Sequence, residues 1–303
     1  MKKILTLIFL SVFCLNAINA KISWSLSEDG TLTISGTGDM EDYDYYSYPW
    51  VLQRESIKNV IIKNGITHIG NRAFYWCTNI ISRTIPNSVT SIGEKAFTSC
   101  AISSITIPNS LTTIGKYAFS NLTKLTSIII PNSVTSIGYY AFGDCYSLTS
   151  ITIPSSVTSI GAYAFQECTG LETITIPNSV TNINYATFSG CVGLKKAIIE
   201  VNKNLQIGKN VFHKSGLAEL IMIGETLPKS ADEYFANGLY ETTTLYVPSS
   251  LYEEYRSTSP WSKFTNIMTL EHSDEANKIV SDAVIAKINA IGKVEYTDVA
   301  RAR

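Results

Sequence analysis

Residues 130–145 read Ile130-Pro131-Asn132-Ser133-Val134-Thr135-Ser136-Ile137-Gly138-Tyr139-Tyr140-Ala141-Phe142-Gly143-Asp144-Cys145, and close copies of this phrase stand on both sides of it. Its proline recurs as Pro86, Pro108, Pro131, Pro154 and Pro177, spaced 22, 23, 23 and 23 residues apart. Phenylalanine keeps the same beat at Phe74, Phe97, Phe119, Phe142, Phe165, Phe188, Phe212 and, more weakly, Phe235. A phrase held in phase through five units is an internal repeat, and a period of this length means stacked units rather than one folded globule.

The residues one and three before the proline position are nearly all aliphatic. One column runs Ile62, Ile85, Ile107, Ile130, Ile153, Ile176, Ile199, Ile223 and Val247; the other runs Val60, Ile105, Ile128, Ile151, Ile174, Ala197, Ile221 and Leu245. Alternation at period two in β-branched residues predicts a short strand with one buried face. Pro-Asn-Ser then ends the strand with turn chemistry. A second extended piece, Val-Thr-Ser-Ile, leads to Gly70, Gly93, Gly115, Gly138 or Gly161, where glycine's conformational freedom is expected to turn the chain. The following Ala-Phe-x-x-Cys reads as one or two helical turns. A unit this short cannot bury its own apolar face, so neighbours must cover one another. The expectation is an α/β repeat solenoid with about nine short parallel strands in one sheet and short helical turns on the other side. At about 4.8 Å per strand such a sheet is roughly 40 Å long.

Composition agrees. The 303 residues carry a net charge of −1, with 45% hydrophobic and only 16% charged residues, against about 25% charged in an ordinary soluble domain. Hydroxyls fill the gap, with 34 Ser and 31 Thr. Near-neutral charge argues against nucleic-acid binding and against a polybasic membrane surface, and the apolar fraction excludes disorder. Lys2, Lys3 and the apolar stretch 4–15 read as an export signal with cleavage after Ala20. Cys14 raises a lipoprotein alternative, which the bulky Phe13 disfavours. No other segment is apolar enough to span a bilayer. The remaining cysteines, Cys77, Cys100, Cys145, Cys168 and Cys191, are odd in number and follow the repeat. They are expected as a buried ladder of small hydrophobes rather than as disulfides or a metal site.

The run Ser27-Glu28-Asp29-Gly30-Thr31-Leu32-Thr33-Ile34-Ser35-Gly36-Thr37-Gly38, then Tyr48-Pro49-Trp50, then the Ile-Pro-x-Ser-Val-Thr-Ser-Ile-Gly-x-x-Ala-Phe-x-x-Cys units, resembles the BspA-like leucine-rich-repeat family. The closing Leu245-Tyr246-Val247-Pro248, Tyr255, Trp261, Phe264 and Asn266-Ile267 resemble that family's terminal unit. The resemblance covers about residues 22–270. It implies a leucine-rich-repeat fold, an exported surface protein, and a role in adhesion or partner binding without catalytic residues.

The organisation expected is a signal peptide (1–20), an N-terminal cap (21–57), a solenoid with a C-terminal capping unit (58–270) and a helical tail (271–303). The cap is read as a β-hairpin turning at Asp29-Gly30, followed by aromatic cover from Tyr43, Tyr45, Tyr46, Tyr48 and Trp50. Those rings either close the core or stack on glycans. At the far end the 225–243 segment, Tyr252, Tyr255 and Trp261 are expected to close the stack. Arg83 occupies an inward position, which implies a bulge, a snorkelling guanidinium or an anion site. The tail reads as an amphipathic helix over 273–291, either part of an incomplete helical module or docked on the solenoid.

His68, His213 and His272 share no column, and no nucleophile motif, phosphate loop or metal spacing is present. The chain is therefore read as a non-enzyme without cofactors. Its candidate binding positions lie on the outward face of the strands: Ser82, Thr84, Ser104, Thr106, Ser127, Ile129, Ser150, Thr152, Thr173, Thr175 and Lys196, with Ile198, Met222 and Tyr246 continuing one column. A second stripe is Tyr117, Tyr140 and Tyr163, beside Tyr139 and Tyr185. The alternative is that Ser and Thr are merely soluble strand-formers copied by duplication. The partner expected is an extracellular protein or glycoprotein, and the chain is read as monomeric. A carbohydrate-binding or scaffold role, a rigid spacer and an ice-binding Thr array are the other readings.

Overall fold

A computed structural model describes residues 22–230 and 238–270, without the side chains of residues 82–84 and 230. The export signal, Phe235, His272, the helical tail and the side chains of Ser82, Arg83 and Thr84 lie outside what is described.

The chain winds into a parallel β-solenoid with three walls. The first wall holds the strands read from the isoleucine columns, such as Ser104–Thr106, Ser127–Ile129 and Ser150–Thr152, each buried only at its central residue. It forms two hydrogen-bonded stretches of seven and five strands, interrupted between Ser150–Thr152 and Thr173–Ile176. The hairpin Ile22–Leu26 and Thr31–Gly36 starts it, the only antiparallel pair among the described strands. At each corner the proline carbonyl accepts the amide three residues on, as in Val134 to Pro131 at 3.0 Å. Backbone pairing places Arg83 opposite Ile105 in regular register.

The fold class follows the repeat, and three details differ from expectation. First, the Val-Thr-Ser-Ile pieces also pair, as two-residue strands such as Ser136–Ile137, in a separate nine-stranded parallel sheet. This is the second wall. It arises because only the isoleucine must face inward while the preceding backbone already lies flat against its neighbour.

Second, the third side is built of successive turns rather than helix. In each unit the second residue after the glycine position is left-handed, as at Tyr117 (φ 56), Tyr140 (φ 55) and Tyr163 (φ 59), and so is a residue four further on, as at Asp144 (φ 61). Left-handed backbone costs a non-glycine residue roughly 1–2 kcal/mol. It is offset here because every second amide reaches the next coil: Tyr140 to Ala162 at 3.0 Å, Phe142 to Ala164 at 2.8 Å and Asp144 to Gln166 at 2.8 Å. A helix would turn those amides back into their own coil.

Third, the glycines are not used for conformational freedom. Gly138 and Gly161 do not have positive φ. A Cβ on Gly161 would lie 2.6 Å from the Gly138 carbonyl carbon and from the Tyr139 nitrogen. Glycine is needed there because two backbones touch.

One register expectation fails. Ala197 pairs with Leu220 and Ile199 with Met222, so Leu220 and Met222 point inward and Ile221 takes the outward column, opposite Tyr246. Along the first wall the interval stays 23 from Ala197 to Leu220 and lengthens to 25 from Leu220 to Leu245, and a one-residue slip exchanges the two faces of a strand.

The core is a column of phenylalanine rings. Phe119, Phe142 and Phe165 stack at 5.6 and 5.5 Å, and Trp50 begins the column 5.7 Å from Phe74. The cap's rings divide: Tyr48 and Trp50 are buried, while Tyr45 and Tyr46 are exposed. The Tyr48 hydroxyl donates to the Tyr75 carbonyl at 2.7 Å, and Trp50 Nε1 donates to the Ala73 carbonyl at 2.9 Å. At the other end Tyr255 and Trp261 are fully buried, 5.6 Å apart. The five cysteines are all buried thiols. Cys145 Sγ donates to the Phe119 carbonyl and Cys168 Sγ to the Phe142 carbonyl, both at 3.2 Å.

Candidate binding surfaces

The strands of the first wall project Ser104, Thr106, Ser127, Ser150, Thr152, Thr173 and Thr175 outward, all exposed. Ser127 pairs with Ser150 and Ile129 with both Thr106 and Thr152, so the residues form straight columns. Neighbours along a column are about 4.8 Å apart, and the two columns are about 6.7 Å apart along the strands. None of these seven hydroxyls is engaged by a hydrogen bond within the described protein. Ile129 stands among them 81% exposed.

The second wall treats its hydroxyls differently. Thr135, Thr158 and Thr181 each donate to the threonine carbonyl of the preceding coil at 3.2 Å. Ser133, Ser156 and Ser179 donate to a Leu or Val carbonyl of the preceding coil at 2.6–2.7 Å. One repeated composition thus serves two purposes: hydroxyls that join coils, and hydroxyls left to solvent. Lys196 ends the free face, held to Glu219 at 2.8 Å.

The tyrosine stripe lies at the corner between the second and third walls. Tyr117, Tyr140 and Tyr163 are half-buried there. Tyr140 donates to Asp144 at 2.9 Å. Burial pushes the Tyr117 phenol up to about 12 and raises those of Tyr140 and Tyr163. The more exposed rings are Tyr139 (37%) and Tyr185 (42%), one position earlier in their units. The stripe continues through Lys95, whose Nζ lies 4.8 Å from the Tyr117 ring and 5.3 Å from the Tyr45 ring. The alternation of backbone hand along the third wall decides which tyrosine of a pair stands out, and no propensity signals it. Trp76, 46% exposed, was missed for the same reason.

His68 is half-buried. Its Nδ1 lies 2.7 Å from Ser91 Oγ and its Nε2 3.4 Å from Asp42, tying the cap to the second wall. His213 Nδ1 is buried without a partner. Among the described residues no group of three His, Cys, Asp or Glu could hold a metal ion, and no helix is long and apolar enough to cross a membrane. A shallow depression of about 450 Å³ lies beside Tyr185, lined by Asn182, Asn184, Gln206, Gly208, Lys209 and Lys229 among others.

A column of stacked rings, two parallel ladders and a wall of linked turns define a repeat solenoid whose outer face, not an enclosed cleft, carries its variation. The chain belongs to the BspA-type leucine-rich-repeat family: residues 51–150 and 135–258 match that region, in six copies. Among solved structures, the leucine-rich-repeat protein of T. pallidum is 27% identical, with 64% of this chain and 86% of that one covered at a TM-score of 0.50. Two others are similar at lower identity. A leucine-rich cell-surface protein from Faecalibacterium prausnitzii is 20% identical over 86% of this chain and 96% of that one (TM-score 0.38). The pneumococcal vaccine antigen PcpA is 16% identical over 83% and 97% (TM-score 0.44). No curated protein sequence matches significantly.

Proposed function

We propose that this protein is an exported, cell-surface repeat protein that binds an extracellular protein or glycoprotein through its solenoid face, without catalysis. The observation that carries this reading is the flat first-wall face, whose seven exposed hydroxyls have no internal partner and surround the exposed Ile129. Extended repeat surfaces serve as binding faces, and an uncharged one of this kind recognises by shape and hydrogen bonding. Family membership supports export. The test is capture of extracellular matrix proteins by residues 21–303, with Ile129→Lys as the perturbed face. Wild-type capture should persist in about 0.5 M salt, because no charge drives it. Ile129→Lys should weaken capture at least about tenfold. Capture that disappears in salt, or that ignores the substitution, refutes the assignment.

The runner-up is a carbohydrate-binding or scaffold role, for which the exposed Tyr139 and Tyr185 are the supporting residues.

A further inference from the structure

We propose that the depression beside Tyr185 binds a sugar residue bearing a carboxylate, of the uronic- or sialic-acid type. This gives the carbohydrate reading above a site and a ligand chemistry and rests on it, and it uses a wall other than the hydroxyl face.

The repeat departs from itself at this place. Backbone pairing puts one outward position of the second wall in register from coil to coil: Thr113, Ser136, Ser159, Asn182, Gln206 and Lys229. Upstream, small hydroxyls hold that position, and a two-residue strand with its isoleucine turned inward asks for nothing more. Copying the unit would have continued them. Instead three long polar side chains follow one another at about 4.8 Å per coil, and all three line the depression. Its volume of about 450 Å³ lies within the range of about 300–1,000 Å³ usual for small-ligand sites.

Tyr185 lines the same depression with its ring 42% exposed. That ring packs on Tyr163 at 5.2 Å and 72°, and its phenol oxygen accepts from Asn210 Nδ2 at 3.2 Å. It is therefore fixed before a ligand arrives, and it offers apolar surface to the C–H side of a pyranose.

The polar lining supplies donors and acceptors together, as sugar hydroxyls require. Asn182 Nδ2 donates to Thr181 Oγ1 at 3.2 Å and Asn184 Nδ2 to the Ile160 carbonyl at 2.7 Å, which leaves both side-chain carbonyls as acceptors. The Gln206 amide has no partner among the described residues and provides both functions. A planar amide of this kind bridges two neighbouring hydroxyls of a sugar ring. The charge is one-sided. Among the described residues none that lines the depression carries a carboxylate. Lys209 has a partner of its own, but the Lys229 ammonium forms no ion pair among the described residues. A neutral sugar leaves that cation unused, whereas an acidic one pairs with it.

The test is calorimetric titration of residues 21–303 with sialyllactose, with a hyaluronan tetrasaccharide and with neutral lactose. At least one acidic oligosaccharide should bind with a dissociation constant of about 1 mM, and the one that binds identifies the acid. It should bind at least about threefold more tightly than lactose at low salt. Lys229→Gln should abolish that preference. Gln206→Ala should weaken binding about fivefold, and Tyr185→Ala by at least as much. Ser136→Ala, in the same column outside the depression, should change nothing. Circular dichroism checks that each variant keeps the solenoid. Absence of saturable binding by both acidic sugars up to about 10 mM overturns the proposal, and so does binding that ignores Gln206→Ala. Acetate that displaces the sugar at equal concentration would reveal a bare cation site and overturn it as well. Lactose binding without acidic preference removes this inference and leaves the carbohydrate reading. Failure of all three sugars removes both, and matrix capture that persists in that case leaves the hydroxyl-face reading standing.

Discussion

Replacing Gly161 with alanine should destabilise the protein although its φ is not one that demands glycine. At an ordinary φ the substitution would stabilise by about 0.4–1 kcal/mol through the unfolded state. Here the new Cβ would sit 2.6 Å from the Gly138 carbonyl carbon and 2.6 Å from the Tyr139 nitrogen, where ordinary contact begins at 3.4 Å. The coils would have to part by about 0.8 Å, yet the Gly161 amide is bonded to the Ile137 carbonyl at 2.8 Å. Such a shift takes that bond beyond useful length, a net loss of about 1 kcal/mol, on top of about 1–3 kcal/mol for overpacking. The net expected loss is about 2 kcal/mol, or roughly thirtyfold in the folding equilibrium. The protein contains its own calibration. Asn184 occupies the equivalent position one coil later, its amide relaxed to 3.2 Å from the Ile160 carbonyl and its Nδ2 donating to the same carbonyl at 2.7 Å. Gly161→Asn should therefore lose only about 1 kcal/mol, because the larger side chain returns a hydrogen bond. Urea unfolding followed by circular dichroism measures both variants. An alanine variant as stable as wild type, or no less stable than the asparagine variant, would refute the argument.

Three further outcomes are expected. Phe142→Ala, which opens a hole in the middle of the ring column at a fully buried site, should cost about 3–5 kcal/mol; a loss below about 2 kcal/mol in the same assay would show that the neighbouring coils collapse into the space. Trp50→Phe keeps a ring but removes the donor to the Ala73 carbonyl, and should cost about 1–3 kcal/mol, whereas equal melting temperatures would mean water replaces the indole. Burial pushes the Cys145 and Cys191 thiols from 9.0 up to about 12. The folded state thus favours the protonated form, so stability is fully present below the ordinary thiol value and falls as pH rises from 9.0 towards about 12. Native protein should accordingly leave these thiols unreactive towards an aromatic disulfide at mildly alkaline pH, and rapid labelling without denaturant would contradict their burial.

The isoleucine and phenylalanine columns were legible because burial is the strongest periodic constraint and the period is nearly constant. The second wall was not, because a strand of two residues such as Ser136–Ile137 leaves no alternation to read. The turns of the third wall escaped for a different reason: Tyr140 and Tyr163 have no propensity for left-handed backbone, and only the bond to the next coil holds them there. Met222 was misplaced because the first-wall interval is 23 residues up to Leu220 and 25 beyond it, and spacing alone does not say where extra residues fall. Of the candidate surface, the outward Ser and Thr positions could be read from alternation. Whether a hydroxyl is spent on joining coils, as at Thr158, or left free, as at Thr152, depends on the carbonyl beside it.

The third wall also has an electrical polarity. Its inter-coil amides point towards the following coil and the accepting carbonyls point back, so its linking peptide units are aligned head to tail along the solenoid axis, as in a helix. The carbonyls of Ala73 and Tyr75 form the negative end, and Trp50 and Tyr48 cover them with an indole N–H and a phenol O–H. The Tyr48-Pro49-Trp50 segment thus does for a wall of turns what a C-cap does for a helix, and each added unit extends the dipole rather than cancelling it.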